Sequence, residues 1–324
     1  MTFPAPTRVG RLSLESRHMP AAQGGGGDIY DVMATPFGVR LLIGDVMGTG
    51  LAANQTGLCV LNAWRELACT EPSLAGIAVR LHALITRSEH PDRFVTALLV
   101  NFPVTGQWEQ PPAGTAVPDP AGGSWAEIVC CGHPPPLLLR DGSAVFIEPY
   151  AAPPLGLLDL ADGWCKASRI GVGEGDQLLL YTDGVSEARD GARRFFPLAE
   201  QAAMALRASA GAQAATGRPQ LLDSLVAGLR DHAGDRMTDD IMLLLVTLRL
   251  TAGPRTKAPA PRAKATAGGR HRELAHCYQR AGSARVGRHE TMPWGRTTRG
   301  GGTWRSHRCL SARPGRRSSG ITTR

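Results

Sequence analysis

Nine short segments with the composition of β-strands run through this chain, and they limit its fold more than any other feature does. Each combines apolar or β-branched residues over about five to eight positions, and turn residues follow many of them. Asp-Gly-Ser at 141–143 separates two segments and predicts a β-hairpin, so several strands should be antiparallel. The nine segments are residues 11–16, 28–34, 39–45, 94–100, 125–131, 136–140, 144–148, 177–183 and 241–248.

Helical patterns are fewer, and each shows one apolar stripe. One stripe follows Thr70-Glu71-Pro72, which predicts a helix start, and repeats at three- and four-residue spacing through 74–85. A second stripe covers 221–229, while 51–67 and 197–206 are less regular candidates. Since one-sided helices need a covering layer, we expect an α+β fold in which helices flank two mainly antiparallel sheets.

Two stretches depart from this pattern. Residues 103–124 are interrupted by prolines and predict a long surface loop. Residues 251–324 hold 17 of the 36 basic residues but 2 of the 28 acidic ones, which leaves 1–250 with 19 basic and 26 acidic residues. We therefore expect a folded domain over 1–250 and a disordered basic tail over 251–324, either a solvated extension or an arm for nucleic acid or an acidic partner.

Composition also indicates the cellular setting. The seven cysteines lack a repeated CxxC spacing, which favours reduced thiols over a zinc site or a disulfide framework. No apolar run approaches the roughly 20 residues of a membrane span, and the N-terminus lacks the apolar core of a signal peptide. The sequence therefore predicts a soluble, cytoplasmic protein that makes no membrane contact.

Acidic residues stand at the ends of several predicted strands, where burying a carboxylate is unfavourable unless something pairs with it. Asp45 lies in GDVMGTG at the end of one strand, and Asp28 follows four glycines at the start of another. Asp183 ends the run LLLYTD, and the pair Asp239 and Asp240 precedes IMLLLV. Side chains at strand ends can converge, and an all-oxygen donor set favours Mg²⁺ or Mn²⁺ over zinc.

Each motif taken alone has a simpler explanation, because Asp and Gly favour turns wherever they occur. GDxxGxG, YTDG or an Asp-Asp pair would then be a turn or a solvated cap. Their occurrence together, each joined to a strongly apolar segment, favours the metal site. The CxxxxxR spacing of thiol phosphatases also occurs, from Cys59 to Arg65, but that segment is bulky, free of glycine and predicted to be helical.

Seven motifs, in this order, are similar to those of one enzyme family. They are GGGGDIYDV, LLIGDVMGTGLAA, RFVTALL, CGHPPPLLL, PPLGL, GDQLLLYTDGVSEA and TDDIMLLLV. Together they resemble the SpoIIE-type branch of the PPM (PP2C-like) metal-dependent serine/threonine phosphatases, over nearly the whole of residues 10–249. This resemblance implies a PP2C-like αββα sandwich, two Mn²⁺ or Mg²⁺ ions at one end, and hydrolysis of phosphoserine or phosphothreonine by a metal-activated water.

The resemblance also implies which residues hold the two ions. The implied ligands are Asp28, Asp45, Val46 through its carbonyl or a neighbouring one, Asp183 and Asp239. Asp45 would bridge the ions, whereas Asp28 would act directly or through water. Catalysis would depend on Asp45, Asp183 and Asp239.

Four further residues are implied to support these ligands: Asp31, His133, Glu187 and Asp240. His133 has two interpretations, a proton donor or a structural histidine packed beneath the site by the prolines that follow it. The chain departs from the family pattern at Thr49, where the motif often has His, and at Cys131, which precedes Gly-His in place of Ala. Neither change touches an implied ligand, and the residue that holds the substrate phosphate is left unassigned.

The resemblance implies as substrate a phosphorylated anti-sigma-factor antagonist or a related STAS-type protein of a bacterial partner-switching circuit. Three alternatives belong to other classes. They are a catalytically silent scaffold that binds a phosphoprotein, a nucleic-acid-binding protein acting through the basic tail, and a metal-dependent phosphodiesterase using the same carboxylates. The presence of every implied acidic ligand argues against the scaffold.

Overall fold

The computed structural model describes residues 6–20, 26–103, 124–161, 165–216, 221–234, 237 and 239–249. Two sequence predictions fall elsewhere. The surface loop over 103–124, apart from its two end residues, and the disordered tail over 251–324 lie outside the described residues. In the described part of the chain, no helix combines the length and the apolar character needed to cross a bilayer.

All nine predicted strands are present, with shifted boundaries, and three short ones join them. In chain order the strands are β1 (Thr7–Val9), β2 (Leu12–Met19), β3 (Asp28–Thr35), β4 (Gly38–Val46), β5 (Val95–Pro103), β6 (Ser124–Cys131), β7 (Leu137–Arg140), β8 (Ser143–Phe146), β9 (Ala151–Ala152), β10 (Ser168–Val172), β11 (Gln177–Tyr181) and β12 (Ile241–Leu248). The sequence missed β1, β9 and β10. With three and two residues, β1 and β9 are too short to show an apolar pattern of their own.

The strands form two sheets. The first sheet has the order β1-β2-β12-β11-β7-β8, with antiparallel neighbours throughout. The second sheet has the order β10-β6-β5-β4-β3, also antiparallel, and β9 pairs with β6 in parallel. The predicted hairpin is confirmed as β7–β8, where Asp141 (φ 50°) and Gly142 (φ 76°) make the turn.

Sandwich packing explains why the central strands are apolar at almost every position. In β12, Met242 and Leu244 belong to the core shared by the two sheets, whereas the alternate residues Leu243 and Leu245 belong to the core beneath the helices. Because successive side chains of a strand point to opposite faces, a strand covered on both sides needs apolar residues throughout.

Helices cover the outer face of each sheet. They are α1 (Gly50–Thr70), α2 (Leu74–Thr86), the single turn α3 (Asp183–Ser186), α4 (Leu198–Thr216) and α5 (Leu221–Ala233), with a 3₁₀ turn at Leu158–Ala161. Buried side chains of α1 and α2 pack on the second sheet, and those of α4 and α5 pack on the first. The layers are therefore helix, sheet, sheet and helix, which confirms the predicted α+β αββα sandwich.

The predicted start of α2 was wrong by a few residues. Thr70 is the last residue of α1, and α2 is capped by Ser73, whose hydroxyl accepts a hydrogen bond of 3.1 Å from the Gly76 amide. Glu71 is extended because it precedes Pro72, and a residue in that position avoids the helical conformation. The Glu71-Pro72 segment therefore ends one helix instead of beginning the next.

The predicted strand over 177–183 also ends early. Met242 donates its amide to the Thr182 side-chain oxygen at 3.0 Å, so a hydroxyl replaces the backbone carbonyl that would continue the ladder. The chain then turns into α3, whose first residue is Asp183. This turn separates Asp183 from β11 and directs the chain away from the sheet.

Candidate metal centre

Asp28 and Asp45 lie side by side at one end of the second sheet. They are direct partners in the β3–β4 register. An ideal Cβ on Gly27 would lie 2.0 Å from Asp45 Oδ1 and 2.8 Å from the Val46 carbonyl oxygen. These two oxygens therefore border the same small space, and that space exists because residue 27 has no side chain.

The first sheet brings three more carboxylates to this end of the sandwich. Asp183 follows β11, and Asp239 and Asp240 precede β12, which is the antiparallel neighbour of β11. An ideal Cβ on Gly184 would lie 2.1 Å from the Asp240 carbonyl oxygen, so the two segments are in close contact. Glycine at 184 thus lets the Asp183 turn approach the Asp239-Asp240 pair.

Thr182 connects the two sheets at this point. Its hydroxyl donates to Asp28 Oδ2 at 3.0 Å and accepts from the Met242 amide at 3.0 Å. The residue is fully buried, with no exposed side-chain surface. A hydroxyl has one proton to donate and can accept at the same time, so both contacts can coexist. Thr182 therefore fixes the Asp28 carboxylate against the first sheet.

Burial and mutual repulsion raise the pKa values of three of these carboxyl groups. Desolvation, followed by the charges of Asp45, Asp240 and Asp183, raises the pKa of Asp28 to about 8, despite the opposing Thr182 hydrogen bond. Desolvation and the same kind of charges raise the pKa of Asp45 to about 7. The pKa of Asp183 is raised by desolvation, Asp239 and Glu187. Every charge that shifts these three groups is a carboxylate.

This donor set fits a hard divalent cation. It contains carboxylate oxygens and the Val46 carbonyl oxygen, which are the ligands that Mg²⁺ and Mn²⁺ prefer. A cation would also offset the desolvation and the repulsion that raise the pKa values of Asp28 and Asp45. Within the described residues, no three Asp, Glu, His or Cys side chains converge closely enough to hold one ion as they stand. Binding would therefore draw the carboxylates together.

His133 is buried, lines the same cavity as Asp183 and is held at both ring nitrogens. Nδ1 is 3.1 Å from Thr96 Oγ1, and Nε2 is 3.0 Å from the Tyr181 carbonyl oxygen. Since a carbonyl only accepts, Nε2 carries the proton and Nδ1 accepts from the threonine hydroxyl. Desolvation lowers the pKa of His133 to about 4, although the Tyr181 contact opposes it. This geometry supports the structural interpretation over the proton donor.

The remaining supporting residues separate into two groups. Asp240 is buried and acts electrostatically on Asp28 and Asp45, and Glu187 acts on Asp183. Asp31 is not brought to the site. It lies beneath α1, where Arg65 Nε donates to its Oδ2 at 2.8 Å. The expectation for Asp31 needs correction, because positions 28 and 31 of one strand face opposite sides of the sheet.

Sequence reasoning missed the two threonines of the site. Thr96 Oγ1 accepts from the Asp45 amide at 3.3 Å while contacting His133, and Thr182 holds Asp28. Thr182 immediately precedes Asp183 in YTDG, which is the one signal that could have drawn attention to it. Neither hydroxyl carries a charge or a spacing that marks it as functional.

Several known proteins share this architecture. A structure of the RsbU and RsbW domains of a Mycobacterium tuberculosis protein aligns at a TM-score of 0.58 and 24% identity, over 75% of this chain and 61% of that one. The PP2C phosphatase domain of SpoIIE from Bacillus subtilis, solved with a fragment of its regulatory domain, aligns at a TM-score of 0.57 and 13% identity. The alignment covers 75% of this chain and 64% of that one. RsbX in complex with magnesium aligns at a TM-score of 0.51 and 13% identity, over 75% of this chain and 98% of that one. The chain thus spans a little over three fifths of the first two structures.

The family comparison covers most of the described fold. The model of the family described as Stage II sporulation protein E (SpoIIE) matches residues 35–249, which contain four of the five site carboxylates. Asp28 lies just before this match, in the strand that pairs with β4. By this match, and with a fold shared with PP2C-type phosphatase domains, the chain belongs to the SpoIIE family.

Proposed function

We propose that this protein is a metal-dependent serine/threonine protein phosphatase. The observation that carries the proposal is that Asp28 and Asp45 of one sheet lie at the same end of the sandwich as Asp183, Asp239 and Asp240 of the other. The charges that shift the pKa values of Asp28, Asp45 and Asp183 are all carboxylates. A phosphoryl group is itself anionic, so it can approach such a site only when cations are present. Membership of the SpoIIE family and the magnesium complex of RsbX, a protein of the same fold, support divalent metal dependence.

We assign the binding of two Mn²⁺ or Mg²⁺ ions to Asp28, Asp45, Asp183, Asp239 and the Val46 carbonyl. When bound, the ions would supply an activated water and neutralise charge on the phosphoryl oxygens. Asp45 would reach both ions, because it is close to ligands of both sheets. The charges of Asp183 and Asp239 raise its pKa, and it is the register partner of Asp28. The protein holds these oxygens close together, although repulsion between the carboxylates would otherwise move them apart.

The neutral groups around the ligands position them. Thr182 fixes the Asp28 carboxylate, and Thr96 holds the Asp45 backbone amide. His133 connects Thr96 to the Tyr181 carbonyl and thereby joins the second sheet to the first. With its pKa lowered to about 4, this imidazole is neutral at physiological pH and acts as a positioning residue.

The proposed substrate is a phosphorylated anti-sigma-factor antagonist or a related STAS-type protein. One similar structure combines RsbU and RsbW domains, which supports a place in partner switching. The proposed compartment is the cytoplasm, which agrees with five free thiols among the described cysteines, Cys59, Cys69, Cys130, Cys131 and Cys165.

The function is tested by hydrolysis of p-nitrophenyl phosphate and of a phosphoserine protein, with Mn²⁺ and with EDTA. We expect Mn²⁺-dependent turnover that Asp45→Ala and Asp183→Ala reduce by at least about 100-fold. Asp92→Ala, a change at an exposed position of the α2–β5 connection, is the matched control and should retain turnover.

Three results would contradict the proposal. Turnover that is unaffected by EDTA and by both substitutions would exclude metal-dependent phosphatase chemistry at this site. No turnover by a folded, Mn²⁺-loaded protein that still binds the phosphoserine protein would favour the silent scaffold instead. Cleavage of bis-p-nitrophenyl phosphate in preference to the monoester would indicate a phosphodiesterase.

A further inference from the structure

We propose that the cavity beside Asp183 is the subsite for residues flanking the phosphorylated serine or threonine, and that it selects a lysine or arginine there. This inference rests on the proposed phosphatase function. The cavity has a volume of about 560 Å³, and Asp183, a proposed metal ligand, forms part of its wall. A peptide whose phosphoryl group lies at the carboxylates therefore has its next residues at this cavity.

One wall of the cavity is apolar and rigid. It is made by Pro134, Pro135 and Phe146, and the Phe146 side chain is 42% exposed although it lies in a strand. The β7–β8 hairpin holds this wall in place, because the Ile147 amide donates to the Pro136 carbonyl at 2.9 Å just after β8. An aliphatic side-chain stem would bury its surface here, and a cationic group could lie over the Phe146 ring.

Two exposed glutamates also line the cavity. Glu187 follows Asp183 by one helical turn, with its amide bonded to the Asp183 carbonyl at 2.7 Å, and Glu148 follows β8. Among the described residues, neither glutamate has a basic side chain within ion-pair distance, and both are exposed. The cavity lining includes no Lys or Arg among the described residues, and its histidine, His133, is held neutral by burial.

A cavity lined by both apolar residues and two exposed carboxylates suits a basic side chain, which has an aliphatic stem and a charged head. An acidic residue in the same position would meet Glu148 and Glu187 and be repelled. The structure thus assigns to the protein a preference for phosphorylated segments with a basic residue close to the phosphoserine or phosphothreonine. Glu148 is the residue proposed to determine this preference. Of the acidic residues that line the cavity, it lies farthest in sequence from the proposed metal ligands.

The test compares three phosphoserine peptides of one sequence, in which the residues beside phosphoserine are Lys, Gln or Glu. With the full-length, Mn²⁺-loaded protein, kcat/KM should be about five- to tenfold higher for the Lys than for the Glu peptide, since an exposed ion pair and a cation–π contact each contribute modestly. Glu148→Gln should reduce this ratio and Glu148→Lys should reverse it. Glu66→Lys, on the exposed face of α1, is the charge-matched control and should keep the wild-type ratio.

A second readout does not require turnover. Fluorescence anisotropy of the same peptides carrying a non-hydrolysable phosphonate should give the same order of affinities, and the same reversal in Glu148→Lys. Equal affinities and equal kcat/KM values for the three peptides, while p-nitrophenyl phosphate is hydrolysed, would overturn the subsite alone. Absence of turnover for p-nitrophenyl phosphate and all peptides would overturn the proposed phosphatase, whereas the anisotropy order would still decide the subsite.

Discussion

Thr182, immediately after β11 of the first sheet, donates a hydroxyl hydrogen bond of 3.0 Å to Asp28, at the start of β3 in the second sheet. The same oxygen accepts the Met242 amide. One uncharged side chain thus links the two sheets where the proposed metal ligands meet. Its removal should therefore affect both the stability of the sandwich and the affinity of the site.

Thr182→Val should lower the free energy of unfolding by about 1–3 kcal/mol, because it leaves the buried Met242 amide without its acceptor. It should also weaken Mn²⁺ binding near neutral pH, because the hydrogen bond that favours ionised Asp28 is lost. Urea unfolding and a Mn²⁺ titration measure the two effects. Thr182→Ser keeps the hydroxyl and should stay close to wild type; equal losses in both variants would contradict this account.

In EDTA, the metal-free protein should become less stable as the pH rises towards 9. Asp28 and Asp45 have folded pKa values of about 8 and 7, above the unfolded value of 3.8. Their contribution to stability is therefore fully present below about 3.8 and is lost as the pH rises through 7 and 8. Thermal unfolding at intervals of pH would measure this loss.

The matching variant is Asp28→Asn, which removes the charge and keeps an acceptor for Thr182. At pH 8 in EDTA it should be more stable than wild type by roughly 1–2 kcal/mol, a value reduced to allow for partial solvent exposure of the site. The gain should disappear when Mn²⁺ is added, because Mn²⁺ stabilises the wild type alone. Asp92→Asn, at an exposed position, is the control and should be neutral.

Much of the site could be predicted from the sequence because its carboxylates follow a local rule. Asp28, Asp45, Asp183, Asp239 and Asp240 each stand where an apolar strand begins or ends, and strand ends of a sandwich meet at its edges. The same rule placed Asp31 wrongly. Asp31 is close to Asp28 in sequence, but the two side chains lie on opposite faces of the sheet. The alternation of strand residues, already visible in DIYDVMA, would have separated the two.

The contacts of the positioning groups could not be predicted, because they join segments that are distant in sequence. Thr182 and Asp28 are separated by 154 positions, and His133 reaches Tyr181 across 48. A threonine hydroxyl or a backbone carbonyl acquires such a role only from the packing of the two sheets. The fold class could be predicted from the apolar periodicity. Short strands such as β1 and β9 could not, because they form only by pairing with neighbouring strands.

Mn²⁺ binding should release protons below pH 8. Because a bound cation requires ionised ligands, the protons held by Asp28 and Asp45, with pKa values of about 8 and 7, must leave. At pH 6.5, isothermal titration calorimetry in buffers of different ionisation enthalpy should detect release of about one to two protons per protein. At pH 9.5 the release should be close to zero, and apparent affinity should be higher. Equal proton release at both values would contradict the shared carboxylate site.

His133 should remain neutral well below the ordinary titration range of histidine. Its pKa is lowered to about 4 by burial, so its contribution to stability is fully present above about 6.5 and is lost as the pH falls towards 4. NMR of the imidazole protons should show no titration of this ring between pH 8 and 5.5. His133→Gln should be less stable at pH 7 by on the order of 1–2 kcal/mol, yet lose less stability than wild type between pH 6.5 and 4.5. A ring that titrates near 6.5 would revive the proton-donor interpretation.

Gly27→Ala should prevent metal binding. The new methyl group would lie 2.0 Å from Asp45 Oδ1 and 2.8 Å from the Val46 carbonyl, so it would displace the two oxygens proposed to face the metal. The rise in melting temperature that Mn²⁺ gives to the wild type should be lost, together with turnover of p-nitrophenyl phosphate. Gly228→Ala in α5 is the control, because a Cβ there meets its nearest neighbour at an ordinary 3.6 Å and alanine favours the helix. A Gly27→Ala protein that binds Mn²⁺ as tightly as wild type would show that the metal lies elsewhere than beside Asp45 and Val46.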